Sequence, residues 1–96
     1  MRYLVVIGET GGTGIRDKYE PVIVDPWDLD ISEDLRLKIR DWQQRYEYEF
    51  YFGFPDREKV KLLDREGEDI ALLLKKELVD VKIEYYSDAT LKLKLM

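Results

Sequence analysis

Glu66-Gly67-Glu68-Asp69-Ile70-Ala71-Leu72-Leu73-Leu74-Lys75-Lys76-Glu77-Leu78-Val79-Asp80-Val81-Lys82-Ile83-Glu84-Tyr85-Tyr86 carries two hydrophobic periods back to back. Val60, Leu63, Gly67, Ile70, Leu74 and Leu78 recur three or four residues apart, the spacing of one helix face. From Val79 the period drops to two. Val79, Val81, Ile83 and Tyr85 then point one way and Asp80, Lys82, Glu84 and Tyr86 the other, as in a half-exposed strand. A helix running straight into a strand makes the chain one of mixed class. Gly67 sits on the apolar stripe, where Ala would be the better helix former by ~1 kcal/mol. A glycine there predicts close backbone approach to another helix or to the sheet; the alternative is a helix broken at Gly67.

Upstream, Asp56 has the character of a cap for this helix, and Gly53-Phe54-Pro55 separates it from an earlier one. In that earlier helix Leu35, Ile39, Trp42, Tyr46 and Phe50 share a face. Asp34 with Lys38 and Asp41 with Arg45 are favourably oriented i,i+4 pairs on its wet side. Asp30 with Glu33 has the form of a capping box, with Ser32 as the rival cap, and the helix is expected to end at Phe50 or Phe52. Before the helices, Tyr3-Leu4-Val5-Val6-Ile7 reads as a covered strand. The glycine-rich stretch from Gly8 to Gly14 then reads as a hairpin tip, and Val22-Ile23-Val24 as a second strand closed by Asp25-Pro26. After Ser87-Asp88-Ala89, Leu91, Leu93 and Leu95 alternate with Lys92 and Lys94: a fourth strand or a short tail whose lysines blunt an edge. The expected fold is a single α+β domain over residues 1–96, a small three- or four-stranded sheet with two helices packed on one face, in the order ββααβ(β).

Composition narrows the function classes. Hydrophobic residues make up 45% of the chain and aromatics 12%, too much for a disordered segment. A formal net charge of -5 forgoes most of the counterion-release affinity for nucleic acid, so no nucleic-acid partner is expected. The apolar runs are too short for a signal peptide or a membrane span, and there is no cysteine; the expectation is a cytoplasmic chain with no membrane partner. Histidine is also absent, which removes a Ser-His-Asp triad, a Cys nucleophile and the N/S ligand sets of zinc. No catalytic residue, cofactor or metal is assigned, and the chain reads as a non-enzyme.

Three stretches invite a functional reading. Gly8, Gly11 and Gly14 follow a strand at three-residue spacing and resemble the cofactor loop of short-chain dehydrogenase-like Rossmann proteins. A helix after Gly14 would meet Pro21 within two turns, too soon for a crossover unit, so a hairpin loop is expected. An anion or ligand nest at Gly11, Gly12, Thr13 and Gly14 is the residual reading. Asp25, Asp28, Asp30, Glu33 and Asp34 form an acidic cluster, and Asp64-Arg65-Glu66-Gly67-Glu68-Asp69 a second that lacks the EF-hand order; both read as solvated or capping acids. Tyr46, Tyr48, Phe50, Tyr51, Phe52 and Phe54 crowd one helix end on all sides, so some must face water. From these, Tyr46, Tyr48, Tyr51, Phe52 and Phe54 are the candidate protein-binding residues.

The pattern Leu29-x-Ile31-Ser32-Glu33-x-Leu35-x-x-x-Ile39-x-x-Trp42-x-x-x-Tyr46, with Glu66-Gly67-x-x-Ile70-Ala71-x-x-Leu74-x-x-Glu77-Leu78, is similar to small bacterial α/β proteins of unknown function. The resemblance covers the two helices and the strand after them. Its residues pack and cap, so it implies a fold and carries over no active site. The leading expectation is a protein-binding module, with an immunity- or antitoxin-like inhibitor of a basic partner as one form. The alternatives are a small-ligand or nucleotide-binding protein using the glycine loop, and a homo-oligomeric subunit joined through Val81–Tyr85 or the aromatics.

Overall fold

The continuous apolar run Tyr3-Leu4-Val5-Val6-Ile7 builds strand β1 (Arg2–Ile7), whose Leu4 and Val6 face inward and are fully buried. The computed structural model describes residues 1–20 and 22–96. Over these, β1 is followed by β2 (Ile15–Asp17), a 3-10 turn at Pro26–Asp28, helices α1 (Glu33–Tyr51) and α2 (Arg57–Glu77), and strands β3 (Val81–Ser87) and β4 (Lys92–Leu95). The described strands form one mixed sheet in the order β2-β1-β3-β4. The chain is therefore α+β, with the element order ββααββ, and the last apolar alternation is a true fourth strand.

The hairpin β1–β2 is antiparallel, whereas β1 and β3 run parallel in the register Leu4 to Ile83 and Val6 to Tyr85. Parallel neighbours need a crossover of a dozen residues or more, and α1 with α2 supplies it. Both helices lie on the face carrying Leu4, Val6, Ile83 and Tyr85, and Ile39, Trp42, Tyr46, Leu63, Ile70 and Leu74 close the core over it. The crossover puts β3 in the middle of the sheet. Within Val81–Tyr85, Ile83, Glu84 and Tyr85 have neighbours on both sides, which leaves Val81 and Lys82, paired with β1 alone, as the open part of the expected subunit-joining strand.

The second strand forms at Ile15–Asp17, upstream of the expected Val22–Val24. Val22–Val24 instead lies along its outer edge, through Asp17 N to Val22 O (3.1 Å), Val24 N to Ile15 O (3.0 Å) and a lone bridge between Arg16 and Ile23. Ile15–Asp17 has one apolar residue, so its strand character comes from pairing with β1 and not from its own pattern. Pro21 lies outside the described residues. Val79 stands outside β3, 93% exposed, because Asp80 turns the chain at a φ of 57°.

Gly67 lies within an unbroken α2. A Cβ there would fall 2.7 Å from Cζ of Tyr85 and 2.8 Å from Cζ2 of Trp42, so only glycine lets both rings reach the helix. Trp42 uses that approach to donate its indole N–H to Leu63 O at 2.8 Å, satisfying its buried polar atom. At the end of α1, Gly53 takes a φ of 75°; its N–H bonds Phe50 O and the N–H of Phe54 bonds Glu49 O, both at 2.9 Å. This is a Schellman stop, which the left-handed glycine makes possible. Phe54 folds back on Tyr46 and Phe50 at centroid distances of 5.5 and 5.8 Å.

Ser32, not Asp30, caps α1, its Oγ accepting from Leu35 N at 3.2 Å. The carboxylate that completes the cap comes from the far end of α2: Glu77 accepts from Ser32 N (2.6 Å) and Ser32 Oγ (3.0 Å). Glu84, expected on the wet face of its strand, is 6% exposed. It lies on the sheet face opposite the helices, where Lys18 Nζ bonds it at 2.7 Å and the Tyr3 hydroxyl donates to it. Burial pushes its carboxyl up, but these two bonds outweigh burial and hold it below the ordinary value. The Tyr3 phenol, bonded to that carboxylate, is pushed up to about 12.

Candidate functional site

Residues three and four apart on a helix share a face, so Tyr48, Tyr51 and Phe52 form a second stripe at the end of α1, turned away from the core stripe. All three are exposed, Tyr51 at 83%. Phe52 touches both others, with ring centroids 5.0 Å from Tyr48 and 5.3 Å from Tyr51. They make one aromatic shelf. Tyr48 also walls a groove of about 540 Å³ between α1 and α2, whose floor includes Leu62 and Leu63. Leu62 is 58% exposed at this floor. Shelf and groove share Gln44 and Tyr48, and so are continuous.

The rim of the groove is charged and held in place. Arg45 donates from Nη2 to Glu66 at 2.6 Å across the helices and from Nε to Asp41 at 2.9 Å one turn back. The bond to Glu66 is the main reason the guanidinium is held above its ordinary value. Lys59 lies 3.7 Å from Glu49 at the other end. Lining charges are Asp41, Glu49 and Glu66 against Arg45 and Lys59, and Glu47 borders the shelf, so the rim is mildly acidic.

Of the five candidate interface residues, Tyr48, Tyr51 and Phe52 come together. Tyr46 is a correction: it is fully buried and cannot touch a partner. Its ring packs on Trp42 at 5.4 Å because it continues the core stripe of Leu35, Ile39 and Trp42. Phe54 is half-buried, its ring packed on Tyr46 and Phe50. Leu62, Gln44 and the Arg45–Glu66 pair are not among the residues the sequence pattern points to. Leu62 lies just off the α2 core stripe, the one signal that could have found it.

The glycine loop stands elsewhere, as the tip of β1–β2. Gly11 and Gly14 take φ of 74° and 98°, the positive values a hairpin tip asks of glycine. Gly12 N bonds Glu9 O at 3.1 Å, and Thr13 Oγ1 donates to Val24 O at 2.5 Å. Gln43 of α1 clamps Glu9 on both sides, accepting from its N–H at 3.2 Å and donating to its carbonyl at 2.5 Å. Gly14 is buried beside Ile39. No helix follows the loop, so the helix N-terminus that would face a phosphate is missing from the described residues.

A polar cluster joins α2 to β3. Asp64 accepts from the Tyr85 hydroxyl at 2.5 Å and from Ser87 Oγ at 2.9 Å, while the Tyr46 hydroxyl accepts from Ala89 N at 3.0 Å. Burial, and then Asp64, push the Tyr85 phenol far above its ordinary value, so it stays a donor. Every member serves another, which makes the cluster a half-buried tie between helix and strand. Asp64 is missed by a reading of the acidic run as solvated. Among the described residues no group of three or more His, Cys, Asp or Glu could hold a metal, and no helix is long and apolar enough to cross a membrane. In comparisons with known proteins, no family model and no curated sequence matches the chain.

Proposed function

We propose that the chain is a non-enzymatic protein-binding module that docks an amphipathic helix of its partner on the shelf and groove of α1 and α2. The observation that carries this is the second aromatic stripe. Tyr48, Tyr51 and Phe52 are exposed on adjacent turns, beside an apolar groove, and the core makes no use of them. Helix-in-groove recognition uses anchors of this kind, and tyrosine and aromatic residues concentrate binding energy where they can be fully desolvated. The acidic rim favours a partner helix flanked by basic residues, in keeping with the chain's net charge of -5. An immunity- or antitoxin-like inhibitor of a basic protein is one form of such a module. The glycine loop is the weaker reading as a ligand site, because the backbone groups of Glu9, the Gly12 N–H and the Thr13 hydroxyl are already bonded within the protein.

The test is capture from host lysate followed by native mass spectrometry, run in parallel on the wild type and on Y48A/Y51A/F52A. A stoichiometric protein partner lost from the variant, at unchanged helicity by circular dichroism, supports the reading. A partner retained at full stoichiometry by the triple variant refutes it.

A further inference from the structure

The sheet has two edges, and they are treated differently. The outer side of β2 is covered by Val22–Val24. The outer side of β4 has no covering strand among the described residues. The bond from Met96 N to Ile83 O at 3.0 Å sets the phase of the β3–β4 ladder. In an antiparallel pair every second residue turns its N–H and C=O to its neighbour. Lys94 and Lys92 therefore bond inward to Tyr85 and Ser87, and Leu93 and Leu95 direct their backbone groups outward.

Side chains alternate with the same period. Leu93 lies opposite Tyr86, and Tyr86 opposite Ile7, so Leu93 and Leu95 project on the face away from the helices. Both leucines are exposed, Leu93 on the margin of an open hollow shared with Val5, Ile7 and Tyr86. Lys92 and Lys94 project on the helix side. Lys94 lies 3.0 Å from Glu68 of α2, and Lys92 has no ion pair among the described residues.

We propose that this edge is a second interaction site, separate from the helical shelf, which takes an extended peptide segment of alternating apolar and acidic residues as an added strand. Backbone pairing supplies affinity whatever the sequence, and the side chains opposite the edge supply choice. Apolar residues would lie beside Leu93 and Leu95, and carboxylates beside Lys92 and Lys94. Directly opposed charges of opposite sign favour a strand pair, and like charges oppose it. A second copy of this chain pairing β4 with β4 would bring Lys94 against Lys94, which is why charge complementarity selects an acidic segment over self-association.

The experiment records amide NMR shifts of the full-length labelled chain at low salt. The probes are two capped peptides, one alternating glutamate with valine and one alternating lysine with valine. The expected result is saturable shifts centred on Leu93 and Leu95, with the glutamate peptide bound roughly tenfold more tightly than the lysine peptide. K92E/K94E should invert that preference. If the double substitution disturbs the fold, K92E alone, which breaks no ion pair of the described residues, should still narrow it. Equal binding of the two peptides overturns the proposal, as do shifts confined to the Tyr48–Phe52 shelf. Leu93 and Leu95 signals that move with protein concentration alone also overturn it and give the edge to a second copy.

Discussion

Gly67→Ala sets two known effects against each other, and the structure decides the winner. In an open helix the substitution would stabilise by ~1 kcal/mol. Here the new methyl would sit 2.7 Å from Tyr85 Cζ and 2.8 Å from Trp42 Cζ2, and closer still to Tyr85 Cε1. Neither ring can swing away. Trp42 is fully buried and tied to Leu63 O, and Tyr85 is 3% exposed and tied to Asp64. Overpacking a closed core costs about 1–3 kcal/mol. Displacing the Tyr85 ring also weakens a hydrogen bond to a carboxylate, worth about 1.5–3 kcal/mol. Less the helix-propensity gain, the net expectation is a loss of roughly 1.5–5 kcal/mol. Urea unfolding followed by circular dichroism measures it, with an unchanged slope showing that the midpoint shift is a change in stability. In a Tyr85→Leu background, which takes away the nearest ring, the penalty for Gly67→Ala should shrink by about 1 kcal/mol or more. A midpoint for Gly67→Ala at or above wild type refutes the close-approach argument. So does an undiminished penalty beside Leu.

Ser32→Ala should cost about 1–2 kcal/mol through loss of the cap, and Asp30→Ala less than about 0.5, as urea midpoints will show; the reverse order would restore Asp30 as the cap. Because the Glu84 carboxyl lies lower in the folded chain than in the unfolded, its stabilising contribution is complete above the unfolded value and disappears as pH falls through the folded one. A carboxyl NMR titration should place Glu84 below the usual glutamate range and show it rising in Lys18→Met; a titration at or above that range contradicts the ion pair. Single alanine substitutions at Tyr48, Tyr51 and Phe52 should change stability by no more than about 0.5 kcal/mol. Tyr46→Ala should cost about 3–5 kcal/mol, and a large loss at any shelf position would mark it as core.

Features that rest on local periodicity and chain chemistry are legible in the residue order alone. Both helices, the turn at Gly53-Phe54-Pro55, the Asp56 cap, the β1 and β3 runs and the packed role of Gly67 follow from spacing, because a 3.6- or 2-residue period reports which side of an element must leave water. The class and the element order follow from the same signal. Tertiary structure decided what neighbours impose. Ile15–Asp17 became a strand because β1 offered it a ladder, with almost no apolar pattern of its own. The cap went to Ser32 because Glu77 arrives from another helix, and Glu84 and Asp64 are held by partners 66 and 21–23 residues away in the chain. The crowded aromatics of α1 divide the same way: Tyr46 belongs to the core stripe by spacing, but only the packed helices expose Tyr48, Tyr51 and Phe52 beside Leu62 as one surface. The central place of β3 and the open edge of β4 follow from the parallel crossover, a long-range choice on which residue spacing along one strand is silent.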